Sequence, residues 1–144
     1  MKTRTKTTRI RPARRITLAI CAASIAAFCT ADAADFTSTW TGGSALWSAF
    51  ANWNTPGAPA GTFPNNGAFT YDAILSNGGT ITLDQNIVIQ KFTLSSGTLA
   101  GNFNLTLNDN LTWTGGSMVG TGTTSVAGTG STISGAGQKG LDRV

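Results

Sequence analysis

The stretch that decides the fold is a pair of similar segments, FTLSSGTLAG at positions 92–101 and LTWTGGSMVG at positions 111–120, which align at an offset of 19. The matched pairs are Phe92 with Leu111, Leu94 with Trp113, Gly97 with Gly116, Leu99 with Met118, Gly101 with Gly120 and, further on, Leu107 with Val126. An earlier copy, LSNGGTI at positions 75–81, carries one extra glycine. Self-similarity at a short fixed period indicates a repeat architecture.

Apolar and polar residues alternate over three or four positions in TITL, KFTL, LTL and LTW, which predicts short β-strands separated by glycine-containing turns. A coil of such strands buries an apolar interior only by stacking on other coils. We therefore predict an all-β fold, a parallel β-helix (β-solenoid) of about three to four coils. An antiparallel meander or sandwich remains an alternative, because it contains the same short strands and turns.

The register of the repeat predicts the role of individual positions. The residues expected to point inward are Leu94, Leu99, Leu105, Leu107, Trp113, Met118 and Val126. The residues expected at corners, where a side chain is costly, are Gly97, Gly101, Gly116 and Gly120. The asparagines expected to stack in the turns of successive coils, with left-handed backbone and hydrogen bonds along the stack, are Asn102, Asn104, Asn108 and Asn110.

Composition divides the chain into three parts. Residues 1–33 are predicted to be a signal peptide, residues 34–70 an aromatic cap with a Pro/Gly-rich loop, and residues 71–144 the solenoid repeats, truncated at their carboxy end. Pro56, Pro59 and Pro64 all lie in the loop and no proline follows them. Their absence from the repeats fits continuous backbone ladders, which proline would interrupt.

The leader has the three parts of a secretory signal in the right order. A basic region extends to Arg15, the apolar run ITLAICAASIAAFC occupies residues 16–29, and a small-residue site ends at Ala33. The run is shorter than the roughly 20 residues of a membrane span, so the sequence predicts membrane contact only through the export signal. Residues 17 and 18 fit the twin-arginine pattern poorly, which favours Sec export and an extracellular, cell-surface or outer-membrane-associated location.

Charge and composition exclude several classes of function. The formal net charge is +4, but seven of the ten cations lie in the first fifteen residues, and after residue 33 three cations face five aspartates, a net charge of −2. A nucleic-acid partner is therefore not expected. The chain has no histidine and no glutamate, and both cysteines lie in the leader, so we expect no metal, cofactor, disulfide or catalytic residue in the mature part.

Four segments carry a family resemblance: TWTGGSALWSAFANW at residues 39–53, FPNNGAFTYDAIL at 63–75, GGTITLDQNI at 78–87 and LTWTGGSMVGTGTT at 111–124. Over residues 40–137 the chain resembles the amino-terminal region of large secreted bacterial β-helix proteins. These include autotransporter-associated β-strand repeat proteins, haemagglutinin-like adhesins and PEP-CTERM exported proteins. The motifs are structural, so the resemblance implies the fold and not an activity. The pattern is expected to continue past GAGQKGLDRV (135–144), and neither a sorting signal nor a translocator barrel is visible.

Trp40, Trp47 and Trp53 are the best candidates for ligand contact, because exposed indole faces can stack on sugar rings. The competing interpretation is that they cover the first coil, since the end of a solenoid needs a cap. Asp72, Asp84 and Asp109 are expected to be solvated turn residues, and Lys91 alone does not make a lyase site.

The function expected from the sequence is that of a non-enzymatic structural or adhesin-type solenoid. The alternative is a carbohydrate-binding module that uses the three tryptophans, and a polysaccharide lyase or hydrolase is a distant third. Glycans, other surface proteins and self-association through the solenoid edges are the expected partners.

Overall fold

Short β-strands account for most of the regular structure in residues 33–144, the part of the chain that this computed structural model describes. The predicted signal peptide lies, up to residue 32, outside the described residues. In chain order the strands are β1 (Phe36–Trp40), β2 (Ala45–Leu46), β3 (Trp53–Asn54), β4 (Tyr71–Leu75), β5 (Thr80–Leu83), β6 (Ile87–Ile89), β7 (Phe92–Leu94), β8 (Thr98–Gly101), β9 (Leu105–Leu107), β10 (Leu111–Trp113), β11 (Gly116–Val119), β12 (Thr124–Val126), β13 (Thr132–Ile133) and β14 (Lys139–Asp142). A 3-10 turn at Phe50–Asn52 precedes β3.

Three sheets wrap the core, and successive strands of each sheet come from successive coils. Sheet A has the order β13-β10-β7-β4-β1-β3, sheet B the order β14-β11-β8-β5-β2, and sheet C the order β12-β9-β6. All the paired strands run parallel except β1 and β3, which are antiparallel. The described part is a β-solenoid of about four turns, which confirms the predicted fold class and excludes the antiparallel alternative.

The register agrees with the repeat. Leu94 pairs with Trp113, and Leu107 pairs with Val126, both at the offset that the aligned segments predict. In the preceding coil Leu75 pairs with Leu94 at the same offset, whereas Ile81 pairs with Leu99, which is one position closer along the chain. The extra glycine of that copy is therefore absorbed in the turn between β4 and β5.

The core is a column of apolar side chains enclosed by the three sheets. In β9, for example, Leu105 and Leu107 are buried on either side of the half-buried Thr106, which is the period-two pattern of a strand with one face inward. Among the residues predicted to point inward, the buried ones are Leu94, Leu99, Leu105, Leu107, Trp113 and Met118. The prediction of a buried Val126 is wrong: it is 37% exposed, because β12 is the last strand of sheet C and no described strand covers it.

The predicted glycine corners are confirmed. Gly97, Gly101, Gly116 and Gly120 all have positive φ, between 85° and 111°, which side-chain-bearing residues rarely adopt. The space between coils also excludes a side chain at these positions, because neighbouring strands lie only about 4.8 Å apart. A Cβ on Gly101 would lie 2.6 Å from the carbonyl oxygen of Leu83 in the coil before it.

Asparagine side chains link the backbones of successive coils. Asn86 Oδ1 accepts a hydrogen bond from the Asn104 N–H at 3.0 Å, and Asn104 Oδ1 accepts one from the Thr123 N–H at 3.0 Å. Among residues 33–144 the predicted asparagines that make such a bond are Asn102, Asn104 and Asn110, whereas the side chain of Asn108 does not. The expectation of left-handed backbone is wrong, since within residues 33–144 only glycines have positive φ. Asparagine is therefore favoured at these positions by the hydrogen bond that its side chain accepts from the next coil, and not by its tolerance of a left-handed backbone.

The aromatic segment supplies the first coil of the stack. Within the region predicted as a cap and loop, β1 pairs in parallel with β4, and β2 pairs in parallel with β5. The three prolines lie between β3 and β4, outside every strand. We call the end of the solenoid at β1 and β2 the head end, and the end at β12, β13 and β14 the tail end.

We expect Gly101→Ala to lower the free energy of unfolding by about 2 kcal/mol or more, because it combines an unfavourable φ with a backbone clash. The measurement is urea unfolding followed by circular dichroism. Gly67→Ala is the matched control: nothing lies within 4 Å of its added Cβ and its φ is not left-handed, so its effect should stay within about 0.5 kcal/mol. Equal losses for the two variants would contradict the assigned corner.

Candidate functional site

The three tryptophans proposed from the sequence as sugar platforms lie in the core at the head end. Trp40, Trp47 and Trp53 are 1%, 0% and 7% exposed. The ring of Trp53 lies 5.0 Å from that of Trp40 and 4.9 Å from that of Trp47. Their ring faces are covered by one another and by the core, so they offer no face to a sugar. The burial favours the competing interpretation, in which they cap the first coil.

Each buried indole N–H of this cluster has a carbonyl partner. Trp47 Nε1 donates to the Pro64 oxygen at 2.7 Å, and Trp53 Nε1 donates to the Trp47 oxygen at 2.8 Å. Trp40 Nε1 donates to the Gly43 oxygen at 3.1 Å. Because a buried N–H without a partner is costly, these bonds fix the three rings in place and tie the Pro/Gly-rich loop to the head end.

An open groove lies on the outside of this loop, and its aromatic residues are not the tryptophans. It has a volume of about 430 Å³ and is lined by Gly61, Thr62, Phe63, Asn65, Ala68, Phe69 and Tyr71. Phe69 is 39% exposed and packs edge to face on Phe36 at 5.3 Å. Apolar rings with hydroxyl and amide groups beside them suit a small amphipathic ligand, and the volume falls in the range of known ligand sites.

Sequence reasoning missed this groove because the loop has no counterpart in the repeat. The loop is anchored by asparagines: Asn65 Oδ1 accepts from the Val88 N–H at 3.0 Å, and the Asn66 N–H donates to the Val88 oxygen. These bonds cover the free edge of β6 and hold Phe63 and Phe69 on the same side of the loop. The signal available in the sequence was the pair Asn65-Asn66 between Phe63 and Phe69.

A second cluster joins acidic and basic side chains from three coils. The Lys91 N–H donates to Asp72 Oδ1 at 3.1 Å, and Lys91 Nζ lies 3.4 Å from Asp109 Oδ2. Burial raises the pKa of Asp72, and the nearby Asp109 adds to this, against the opposing effect of Lys91. The expectation of solvated turn aspartates is wrong for Asp109, which is 7% exposed, and for Asp72, which is half-buried in strand β4. Asp84 likewise has a partner, since its carboxylate accepts from the N–H and the hydroxyl of Ser48.

This cluster stacks one carboxylate, one ammonium group and one further carboxylate along the side of the solenoid. Both carboxylates are engaged by Lys91, so neither is an unpaired base. Lys91 lies on the coil between them, and its positive charge lowers the cost of placing the two acidic groups on the same side of the solenoid. In the described residues no three His, Cys, Asp or Glu side chains converge in an arrangement that could hold a metal ion. Among these residues there is also no helix of the length and apolarity that a membrane crossing requires.

No protein-family model, curated protein or solved structure matches this chain.

Asp72 and Asp35 both have shifted pKa values, and their contributions to the stability of the fold should change with pH in opposite directions. The pKa of Asp72 is raised above the ordinary 3.8 by burial, so its carboxyl destabilises the fold increasingly as the pH rises from 3.8 through the raised value. We expect Asp72→Asn to raise the urea midpoint at pH 7, since an amide oxygen still accepts from Lys91, and the gain should vanish below about pH 3.8.

Asp35→Asn is the matched control of opposite sign. The pKa of Asp35 is lowered by hydrogen bonds from the backbone N–H and the hydroxyl of Thr70. Its stabilising effect is present above pH 3.8 and is lost as the pH falls through the lowered pKa. Urea midpoints measured between pH 2 and pH 7 check both variants, and a gain at pH 7 for Asp35→Asn would contradict the assignment.

Proposed function

We propose that this chain is an exported, non-enzymatic structural segment of adhesin type, a rigid β-solenoid that serves as a scaffold at the bacterial cell surface. The observation that carries the proposal is the coil-on-coil stack, in which three successive coils, from β4 to β12, each add one strand to all three sheets. Such a stack holds its shape along one axis with each coil contacting only its neighbours, which is the mechanical property that a stalk or spacer needs.

The polar side chains of the described residues support a structural role over catalysis. Asp35, Asp72, Asp84 and Asp109 each accept a hydrogen bond or ion pair from another part of this chain. Asparagine oxygens are likewise engaged by backbone N–H groups of the following coil. A carboxylate that is engaged by its own chain in this way is not a free base for a substrate.

The leader and the composition after it support export. Its basic, apolar and small-residue parts occur in signal order, and residues 34–144 contain no cysteine. An extracellular environment oxidises cysteines to disulfides, and a chain without cysteines is not subject to this reaction.

Surface location is tested by cysteine labelling on intact bacterial cells that express the full chain. Ala60 is exposed in the loop and Leu94 is 0% exposed. We expect Ala60→Cys to react with a membrane-impermeant maleimide on intact cells, and the labelled protein should begin at Ala34. Leu94→Cys should react only after denaturation, and the parent chain not at all. Reaction of Ala60→Cys only after cell lysis would contradict the proposed location.

A second candidate function, carbohydrate binding, is favoured by the groove and not by the tryptophans. Phe63 and Phe69 supply ring surface, and Asn65 and Thr62 supply polar groups beside it. Stacking on the exposed ring of Phe69 would account for most of the affinity, because a sugar ring presents an apolar face of similar size.

A glycan array probed with the purified chain separates the two candidates. The scaffold proposal expects no glycan to be retained. The carbohydrate-binding alternative expects retention that Phe69→Ala reduces by about tenfold or more and that Phe103→Ala leaves unchanged. Phe103 is the matched control because it is exposed to a similar extent, 44% against 39%, but lies outside the groove.

A further inference from the structure

Two asparagine-glycine pairs occur in the chain, Asn66-Gly67 and Asn77-Gly78, and their surroundings differ. In such a pair the backbone nitrogen of the glycine lies close to the side-chain carbonyl carbon of the asparagine, and no Cβ on the glycine shields it. A nucleophile and an electrophile that are held together in this way react far faster than separate molecules. Each pair is therefore a candidate for a reaction within the chain, and its surroundings decide whether the reaction occurs.

Asn77 lies exposed in the turn between β4 and β5, with its side chain folded back on the backbone. Its Oδ1 accepts a hydrogen bond from the Gly79 N–H at 3.1 Å, and its Nδ2 donates to the Gly42 oxygen of the first coil at 2.8 Å. Gly78 has a φ of 79°, and nothing lies within 4 Å of the position that a Cβ would occupy. In the described part of the chain the Gly78 N–H makes no hydrogen bond, so its nitrogen is accessible.

Asn66 lies in different surroundings, within the Pro/Gly-rich loop. The Gly67 N–H donates to the Phe69 oxygen at 3.0 Å, so the nitrogen that would have to attack is engaged. Asn66 Oδ1 accepts from the Tyr71 N–H at 2.9 Å, which fixes the half-buried side chain against β4. Asn66 is therefore an internal control that has the same sequence motif as Asn77.

We propose that Asn77-Gly78 is a self-modification site, at which the Gly78 nitrogen converts Asn77 to isoaspartate or aspartate without an enzyme. The Gly79 N–H favours this step because it donates to Oδ1, the atom on which negative charge develops when the side-chain carbon is attacked. The Gly42 oxygen holds the Nδ2 group that leaves. The inference goes beyond the scaffold role, which an unmodified solenoid also fills.

The reaction has two steps that balance with water as the only co-reactant. The Gly78 nitrogen loses its proton to solvent and bonds to Cγ of Asn77, the Cγ–Nδ2 bond breaks, and Nδ2 takes up a proton and leaves as ammonia. Water then opens the resulting cyclic imide at one of its two carbonyl carbons. Opening at the main-chain carbonyl leaves Gly78 joined to Cγ, which is isoaspartate, and opening at Cγ gives aspartate. Both products have lost the amide nitrogen and gained a carboxylate.

The modification removes a hydrogen bond between the first two coils. Asn77 Nδ2 is the donor to the Gly42 oxygen, and a carboxylate, which only accepts hydrogen bonds, cannot replace it. The adjacent Gly43 oxygen accepts from Nε1 of the buried Trp40 at 3.1 Å, so the same turn also holds one ring of the tryptophan cluster. A negative charge beside these carbonyl oxygens repels them. We therefore expect the modified chain to hold its first coil less tightly.

The first experiment follows the reaction by mass spectrometry. Protein purified after expression of the full 144-residue chain is incubated in mildly alkaline buffer, either folded or unfolded in guanidinium chloride. Digestion with a proteinase that cuts before aspartate gives fragments 35–71 and 72–83, which contain Asn66 and Asn77 separately. A further cut before residue 77 identifies aspartate, whereas a fragment 72–83 that has the mass of the acid and stays uncut contains isoaspartate.

In the folded chain we expect Asn77 to react at least about tenfold faster than Asn66. In guanidinium chloride the two residues should react at similar rates, because only the fold distinguishes them. Asn77→Gln is the matched control: it keeps an amide but places the carbonyl carbon one methylene further from the Gly78 nitrogen, so fragment 72–83 should keep its mass.

The second experiment measures the effect on the first coil by hydrogen exchange. The Trp47 N–H donates to the Thr82 oxygen across the first two coils, at 2.8 Å. We expect this N–H to exchange about fivefold or more faster in Asn77→Asp, which has the charge of the product, than in Asn77→Gln. The Asn108 N–H, which donates to the Ile89 oxygen further along the stack, should exchange equally in both variants.

Two results would overturn the self-modification site: an Asn77 that keeps its amide in the folded chain, and folded-state rates that are equal for Asn77 and Asn66. Equal exchange of the Trp47 N–H in Asn77→Asp and Asn77→Gln would overturn the proposed effect on the first coil. Because Asn77 is exposed, neither variant disturbs the core, and a circular dichroism spectrum like that of the parent chain checks this.

Discussion

Hydrogen bonding between coils is the constraint on which the rest of this structure depends. A strand of three or four residues cannot satisfy its own backbone N–H and C=O groups, so its partners must come from the coils before and after it. That requirement sets the separation of the coils to that of paired strands, about 4.8 Å. It explains why the corner positions are glycines, since a Cβ there would meet the carbonyl oxygen of the preceding coil. It also explains why asparagines occupy the turns, where their side-chain oxygens accept from N–H groups that no strand pairs.

The interior of the stack could be predicted from the sequence. Because the coils stack at a nearly constant period, residues that stand one period apart in the sequence become neighbours in space. Leu94 and Trp113 are paired because they stand one period apart in the sequence, and no other information was needed. The same arithmetic could have found the charged cluster, since Asp72 lies one period before Lys91, and Asp109 follows Lys91 by one position less than a period. Taken singly, the two aspartates are typical of turns, and only their spacing from Lys91 indicates the contact across coils.

The ends and the loop could not be predicted in this way, because the repeat predicts contacts only between one coil and the next. A residue at an end or in the loop has no counterpart one period away. Val126 has the same register as the buried Leu107 but remains exposed, since burial depends on a strand beyond β12. Composition alone does not show whether the tryptophans bind a sugar or cover the first coil. An indole ring suits both roles, because it is large and apolar and has one polar N–H group. Their burial is decided by where carbonyl acceptors such as that of Pro64 lie, and the non-repeating loop determines those positions.

The two ends of a stack present the same physical problem and are treated differently here. At the head end the chain covers its own core with three indole rings, an antiparallel strand and a loop fixed by Asn65 and Asn66. At the tail end the side chain of Arg143 lies across two coils, where its Nη2 donates to the Phe103 and Thr123 oxygens. The free-energy cost of exposing the two ends is the same for a short stack as for a long one. The stabilisation from buried apolar area and from hydrogen bonds between coils, in contrast, grows with every coil. In a stack of about four turns the ends therefore weigh heavily in the total stability. Any strand that pairs with the outer edges of β12, β13 and β14, whatever segment supplies it, would therefore stabilise the solenoid as a whole, just as the indole rings and the loop do at the head end.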